Sequence, residues 1–278
     1  MIFFKGCPLR CPWCSNPESQ TYGLSLMYDE NKCKNFGTCI ELGDEAIQMD
    51  GNQVVIDRSA IQDVSAYQDV CVSKALTTVG EKLNIDDIIE EIEKDLPFYK
   101  QSGGGVTLSG GEPLAQNELL FDLIQEIKKR DIHLSVETTL YVPWEKIYRC
   151  LGKVDTFLVD LKHTNPAKFN VHTEGDLDLV LENLKRLNET KEHIIVRIPV
   201  VPGFNHTTDE MTAIINMAAS LDSVREVHFI PYHTLGAHKY RMLGMEYPYK
   251  IFDGITPQEI EPYSNYARSA GLKTKIGG

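Results

Sequence analysis

No stretch of this chain approaches the roughly twenty consecutive apolar residues that a membrane-spanning helix needs. The start, Met1-Ile2-Phe3-Phe4-Lys5-Gly6-Cys7, is interrupted too early to be a secretory leader, so a cytoplasmic location is the expectation. Basic charge is in short supply: 28 Lys and Arg against 40 Asp and Glu leave a net −12. A surface of that sign repels phosphate backbones, which argues against nucleic acid as a partner. An even set of cysteines is missing too. Seven in 278 residues is not the framework of a secreted disulfide scaffold. In a reducing compartment, clustered thiols more often bind metal or do redox chemistry. With 42% hydrophobic and 24% charged residues, the composition is that of a globular chain able to bury a core.

From residue 80 onward, short apolar runs alternate with helical periods. Asn84 is placed to cap a helix carrying Ile85, Ile88, Ile89, Ile92 and Leu96 on one face, broken at Pro97. Val106–Ser109 reads as a strand. It runs into Gly110-Gly111-Glu112-Pro113 and a helix with Leu119, Leu120, Leu123, Ile124 and Ile127 on one face. Further strands are expected at His133–Thr138, Thr156–Lys162, His193–Val200 and Val224–Tyr232. Helices are expected around Leu177–Leu187, after a Thr207/Glu210 capping box, and after Thr256-Pro257 with Glu259, ending at Gly271. With Ile2–Lys5 this makes six strands, five of them in β–α alternation, and the expected fold is α/β, a parallel sheet or incomplete barrel. Residues 29–80 break the rhythm. They hold three cysteines and a short strand at Gln53–Asp57, and read as an insertion between the first strand and the first main helix.

Cys7-x3-Cys11-x2-Cys14 is the sharpest local signal. Three thiolates from one loop can hold three irons of a 4Fe–4S cluster and leave the fourth open to a non-protein ligand. Structural zinc wants four protein ligands, usually as two pairs, and no fourth lies nearby. The loop also follows a strand, where barrel folds build their active sites.

The run Cys7-Pro-Leu-Arg-Cys11-Pro-Trp13-Cys14 resembles the cluster motif of the radical S-adenosylmethionine enzymes. Phe4-Lys5-Gly6, Ser15-Asn16-Pro17-Glu18-Ser19, Ser109-Gly110-Gly111-Glu112-Pro113, Asp160-Leu161-Lys162 and Pro231-Tyr232-His233-Thr234-Leu235-Gly236-Ala237-His238-Lys239-Tyr240 narrow the likeness to the glycyl-radical-enzyme activating enzymes of the pyruvate formate-lyase activating enzyme type. The likeness runs from Met1 to the C-terminus in the same order. It implies a partial (β/α)6 barrel formed by residues 1–28 and 81–278, with a degenerate ferredoxin-like insertion at 29–80.

The resemblance also implies a chemistry. The open iron would bind the amino and carboxylate groups of S-adenosylmethionine. An electron from the reduced cluster, at a potential near the bottom of the range for such clusters, would cleave the sulfonium. The resulting 5′-deoxyadenosyl radical would take hydrogen from a backbone glycine of a pyruvate formate-lyase-type partner. Cys7, Cys11 and Cys14 would ligate the cluster. Trp13 would cover the adenine, Asn16 would join the cofactor-binding set, and Gly110, Gly111 and Glu112 would receive the methionyl amino group. Lys162 would contact the carboxylate or ribose. Asp160, with Glu137 and Thr138, matches a monovalent-cation site. His233 matches a histidine near the cofactor and the substrate glycine, and Arg197 is a further cofactor candidate. Independently of family, Asp160 and Lys162 are two apart on an expected strand and face one side. A flavodoxin or ferredoxin-type electron donor, anaerobic operation and a monomeric chain complete the expectation.

The sequence departs from the pattern in three places. Members of this family begin upstream of the first strand, which suggests a misplaced start. The insertion resembles a two-cluster ferredoxin segment, two C-x2-C-x2-C-x3-C runs, that has decayed. The first run keeps Cys33 and Cys39, with Phe36 and Gly43 at the other places. The second keeps Cys71, with Ile61, Val64 and Tyr67 replacing cysteine. Three ligands divided between two sites do not hold two ordinary clusters, so one cluster in total is expected, a remodelled site on Cys33, Cys39 and Cys71 being the alternative. Finally, Glu137-Thr138 is followed by Thr139-Leu140, where the family often carries glycine after the third residue. Cys150 reads as a buried structural thiol. Two rival functions stand beside the leading one: a radical enzyme with another substrate, and a catalytically dead paralogue serving as a binding or regulatory module.

Overall fold

The computed structural model describes residues 1–42, 45–51, 53–249 and 253–277. Gly43, one of the degenerate cluster positions, lies outside them. In chain order the strands are β1 (Ile2–Phe4), β2 (Ser25–Tyr28), β3 (Ile47–Asp50), β4 (Gln53–Ile56), β5 (Leu76–Val79), β6 (Gly105–Gly110), β7 (His133–Thr138), β8 (Thr156–Asp160), β9 (Ile194–Val200), β10 (Val224–Pro231) and β11 (Lys273–Ile276). The α-helices are α1 (Val64–Val70), α2 (Ile85–Glu93), α3 (Leu96–Ser102), α4 (Glu118–Lys129), α5 (Trp144–Tyr148), α6 (Pro166–Thr173), α7 (Leu177–Glu189), α8 (Thr208–Ala219), α9 (Ala237–Met242) and α10 (Pro257–Ser269).

β1 and β6 to β11 form one all-parallel sheet in the order β1-β6-β7-β8-β9-β10-β11, with β1 and β11 at its edges. Strands that follow one another across a sheet with helices between them make a (β/α) barrel that stops short of closing. All six expected strands are present. The seventh, β11, was not legible: Lys273-Thr-Lys-Ile is short, polar on alternate residues and sits on an edge, where hydrophobic patterning is weakest.

The sequence explains the layers. In β9 the side chains of Ile194, Val196, Ile198 and Val200 are buried against the helical layer, while Arg197 and Pro199 point the other way, toward the barrel interior. α4 buries Leu120, Phe121, Leu123, Ile124 and Ile127. Leu119, placed on that face by the sequence reading, is instead 52% exposed in the first helical turn, and Phe121 takes the inward position. α2 starts at an Asn84–Asp87 capping box and stops at Glu93; Pro97 then lies in the first turn of α3.

The excursion between β1 and β6 has a small core of its own, Leu26, Ala46, Ile47, Tyr67 and Leu76. It is tied off by the antiparallel β2–β5 pair and contains the β3–β4 hairpin. Arg58 anchors it to the barrel by donating to the Met242 carbonyl at 2.9 Å.

Candidate active site

The loop after β1 folds back on itself: Gly6 N–H donates to Ser19 O at 2.7 Å, and Cys14 N–H to Cys11 O at 3.2 Å. The neighbouring β6 turn is stitched to the same strand, Gly111 N–H to Phe4 O and Glu112 N–H to Gly6 O, both at 2.8 Å. These approaches require glycine. A Cβ on Gly111 would stand 2.2 Å from Gly6 O, and one on Gly110 would stand 2.4 Å from Phe4 N. Both close contacts hold the cluster loop against the C-terminal end of the sheet.

There, one cavity of about 220 Å³ is lined by Cys7, Cys11, Trp13, Cys14, Asn16, Gly110, Gly111, Glu137, Thr138, Asp160, Lys162, Arg197 and His233. Residues scattered over more than two hundred positions of sequence therefore meet at one site. Burial pushes the Cys7 thiol up to about 11 and the Cys11 thiol to about 12, and raises Cys14 as well, with the Lys162 ammonium opposing in each case. Such thiols stay protonated in the absence of metal and release protons when a metal binds. Three partly buried cysteines on one cavity of mixed polar and apolar lining, beside a glycine cradle, fit an iron–sulfur cluster with one open corner.

Opposite the cysteines runs a row of alternating charge. Asp160 and Arg197 are direct neighbours in the β8–β9 register, and Arg197 Nε lies 3.3 Å from Asp160 Oδ1. Arg197 also pairs with Glu137, which accepts from the Ser109 hydroxyl. Lys162 Nζ meets Asp160 Oδ2 at 2.8 Å. Lys162 lies past the end of β8, not on the strand as expected, and reaches Asp160 by its flexible stem. Burial works against each charge in the Asp160–Lys162 pair. The partner's charge prevails in both, holding Asp160 below the usual carboxylate range and Lys162 above the usual ammonium range.

Glu112 departs from its expected place. It is 0% exposed and is not part of the cavity wall. Oε1 accepts from Leu114 N–H at 3.1 Å and Thr138 Oγ1 at 2.8 Å, and Oε2 accepts from the Thr139 N–H and hydroxyl, both at 2.7 Å. A carboxylate with four donors has no room for a ligand's amino group. It is a positioning group that locks the β6 turn to the end of β7. Burial still pushes its carboxyl up, and these bonds oppose the shift. The missing glycine has a structural consequence next door: Leu140 itself takes the left-handed conformation, φ +56°, with its side chain fully buried.

The remaining candidates sit at the rim and floor. Trp13 packs on Phe204 at a ring separation of 4.4 Å and edge-on to Tyr249 at 5.8 Å, and lines the cavity. Asn16 Oδ1 accepts from Lys239 Nζ at 2.8 Å, and the same ammonium binds Glu18 at 2.5 Å. His233 is exposed at the mouth, two residues beyond β10. Pro199, Val201, Ile230 and Tyr232 are among the further lining residues, and they were missed. Pro199 and Val201 continue the period-2 series of Arg197, so strand alternation alone could have found them.

The insertion's cysteines are arranged as in the alternative the sequence left open. Cys33, Cys39 and Cys71 are not divided between two sites but line one small cavity, together with Phe36. Cys150 is buried, its thiol donating to Lys146 O at 3.4 Å.

Comparison with known proteins agrees with this geometry. Residues 1–216 match the Radical SAM superfamily model. The chain is 35% identical to the trans-4-hydroxy-L-proline dehydratase activating enzyme of Clostridioides difficile over 100% of this chain and 93% of the relative. It is 34% identical to the choline trimethylamine-lyase activating enzyme of Oleidesulfovibrio alaskensis over 94% and 86%. Among solved structures, a domain of a pyruvate-formate lyase-activating enzyme from Bacteroides vulgatus superposes with a TM-score of 0.53 at 26% identity, covering 63% of this chain and 99% of that one. The family brings with it a 4Fe–4S cluster and S-adenosylmethionine. The chain belongs to the radical S-adenosylmethionine superfamily, among the glycyl-radical-enzyme activating enzymes.

Proposed function

We propose that this chain activates a pyruvate formate-lyase-type glycyl radical enzyme by abstracting hydrogen from one of its backbone glycines. The observation that carries the reading is the meeting, in one cavity, of the Cys7/Cys11/Cys14 triad with the Glu137–Arg197–Asp160–Lys162 charge row. One 4Fe–4S cluster on the triad, with S-adenosylmethionine on its open corner, supplies reductive sulfonium cleavage and thus a carbon radical.

The protein's own residues hold and orient. Gly110 and Gly111 bring backbone to the ligand without side-chain obstruction. Asp160 fixes the Lys162 ammonium where it meets the methionyl carboxylate, and the Glu137–Arg197 pair keeps the far wall close to neutral. The monovalent cation expected at Asp160, Glu137 and Thr138 would have to displace Arg197, which pairs with both carboxylates. Trp13 covers the adenine, and Pro199, Val201 and Tyr232 keep water from the reacting groups. His233, at the mouth, is placed to meet the incoming glycine loop.

In this reading residues 1–28 and 81–278 form the catalytic barrel and 29–80 the insertion. The protein is a cytoplasmic monomer reduced by a flavodoxin or ferredoxin-type donor. The test is electron paramagnetic resonance of a pyruvate formate-lyase-type protein incubated anaerobically with the reduced, reconstituted enzyme and S-adenosylmethionine. A glycyl radical supports the assignment. Its absence, with radicals formed on another class of glycyl radical enzyme, replaces the partner.

A further inference from the structure

We infer that the Tyr240 hydroxyl donates a hydrogen bond to the Cys14 sulfur of the cluster, from outside the cavity, and so makes the cluster easier to reduce. This role depends on the cluster held by Cys7, Cys11 and Cys14, and not on which partner is activated.

Tyr240 stands on α9, a helix pinned at both ends. At its start, an added Cβ on Gly236 would come within 2.9 Å of Ser15 Cα and 3.4 Å of Cys14 O, so the helix lies directly on the cluster loop. Lys239 ties the same helix to Asn16 at 2.8 Å and to Glu18 at 2.5 Å. At its far end, Arg58 of the insertion donates to the Met242 carbonyl at 2.9 Å. Between these ties the Tyr240 ring is buried, edge-on to Tyr247 at 5.0 Å.

The hydroxyl of this ring is the anomaly. It is buried and has no hydrogen-bond partner among the described residues, although nearly all buried polar groups have one. Burial pushes the phenol up, and negative charge at Cys14, then Cys11, pushes it further, ahead of Glu18 and Tyr232. Tyr240 does not line the cavity, so a sulfur of the loop, and not a ligand in the cavity, is the acceptor open to it. A metal-bound Cys14 is an anionic sulfur and accepts where a thiol does so weakly. Cys14 already gathers donors: burial pushes its thiol up, and hydrogen bonds from the Asn16 backbone and the Gln20 side chain oppose the shift. A donor on a cluster sulfur stabilises the added electron of the reduced state and raises the potential. The orphaned hydroxyl of the metal-free chain is thereby satisfied in the loaded one.

The experiment uses the full-length chain, reconstituted anaerobically and titrated against solution potential without S-adenosylmethionine, with the reduced cluster followed by electron paramagnetic resonance. Tyr240→Phe keeps the ring and removes the O–H. At a fixed potential its ratio of reduced to oxidised cluster should fall about three- to tenfold, tenfold being about 59 mV for one electron. A fluorinated tyrosine at position 240, a stronger donor of nearly the same volume, should move the ratio the other way. Thermal melting gives a second reading. Metal-free Tyr240→Phe should melt no lower than the unaltered chain, because the O–H has no partner there to lose; the loaded variant should melt lower than its loaded parent. An unchanged midpoint overturns the assignment. An equal loss of melting temperature with and without metal also overturns it, and gives the hydroxyl to Glu18 or to packing. Should Tyr240→Phe not fold, the fluorinated protein decides, and a midpoint that does not rise overturns the assignment. Failure of the glycyl radical test above leaves this result untouched, whereas an unaltered chain that takes up no iron overturns this role and the cluster together.

Discussion

Asp160 and Arg197 occupy paired positions on adjacent parallel strands, and their side chains meet 3.3 Å apart inside the barrel. Because Lys162 bonds the other oxygen of the same carboxylate, Asp160 stands between two cations. Removing its charge leaves both uncompensated beside a ligand whose sulfonium is also positive. Asp160→Asn should retain the cluster's iron but lose about 10- to 100-fold in S-adenosylmethionine cleavage, as loss of an orienting partner does. Product formation against iron content, measured on the same samples, checks it.

Lys162→Met tests the cation itself. The side chain keeps its length and loses its charge, so binding of the carboxylate should weaken while the thiols still take up iron. Anaerobic equilibrium binding of S-adenosylmethionine should show a weaker complex by about 1.5–3 kcal/mol, the scale of a hydrogen bond to a charged group. Unchanged affinity would place the carboxylate elsewhere.

Glu112→Gln separates a positioning role from a ligand-binding one. The amide keeps one acceptor oxygen where the carboxylate had two, so either the Leu114 N–H or the Thr139 N–H loses its partner. That costs about 1–3 kcal/mol of stability. For a chain of this size the melting temperature should fall by roughly 2–4 °C per kcal/mol. A variant with unchanged melting but weakened cofactor binding would return Glu112 to the ligand set.

At Leu140 two effects oppose. Leu140→Gly relieves a left-handed non-glycine residue, worth about 1–3 kcal/mol. It also deletes a fully buried side chain, and truncation of a buried leucine to alanine already costs about 2–5 kcal/mol. Burial wins, and denaturant unfolding should show a net loss of stability. A stabilised variant would mean that the strain exceeds the packing.

Gly236 lies against the cluster loop, where an added Cβ would come within 2.9 Å of Ser15 Cα. Backbone cannot yield as a flexible side chain would. Gly236→Ala should therefore displace the loop bearing Cys14 and speed iron loss to a chelator several-fold. Lys239→Gln, which weakens the bonds to Asn16 and Glu18, should act in the same direction.

Much of this was readable from sequence because barrels repeat themselves. The strand run His133–Thr138 coincides with β7, since its alternation and flanking polar residues leave little choice. The site motifs were legible for the same reason: each lies on a strand or just past its end, and all the barrel strands run parallel. What escaped was set by contacts distant in sequence. Nothing local to Glu112 says that its carboxylate turns toward Thr138 and Thr139, because that depends on β6 and β7 being neighbours. Lys162 was placed on a strand by pattern, although β8 ends at Asp160. In the insertion, Cys33, Cys39 and Cys71 come together as in the alternative reading, because the fold, not the order of the runs, brings Cys71 beside the first two.

The central claim is that the cysteine triad and the charge row form one competent site. The most direct measurement is 5′-deoxyadenosine released when the anaerobically reconstituted, reduced protein is given S-adenosylmethionine. The account predicts product from the unaltered protein and none from Cys11→Ala. A protein carrying its full complement of iron that forms no 5′-deoxyadenosine would contradict it, and would mark the chain as a paralogue that has kept the site but lost the reaction.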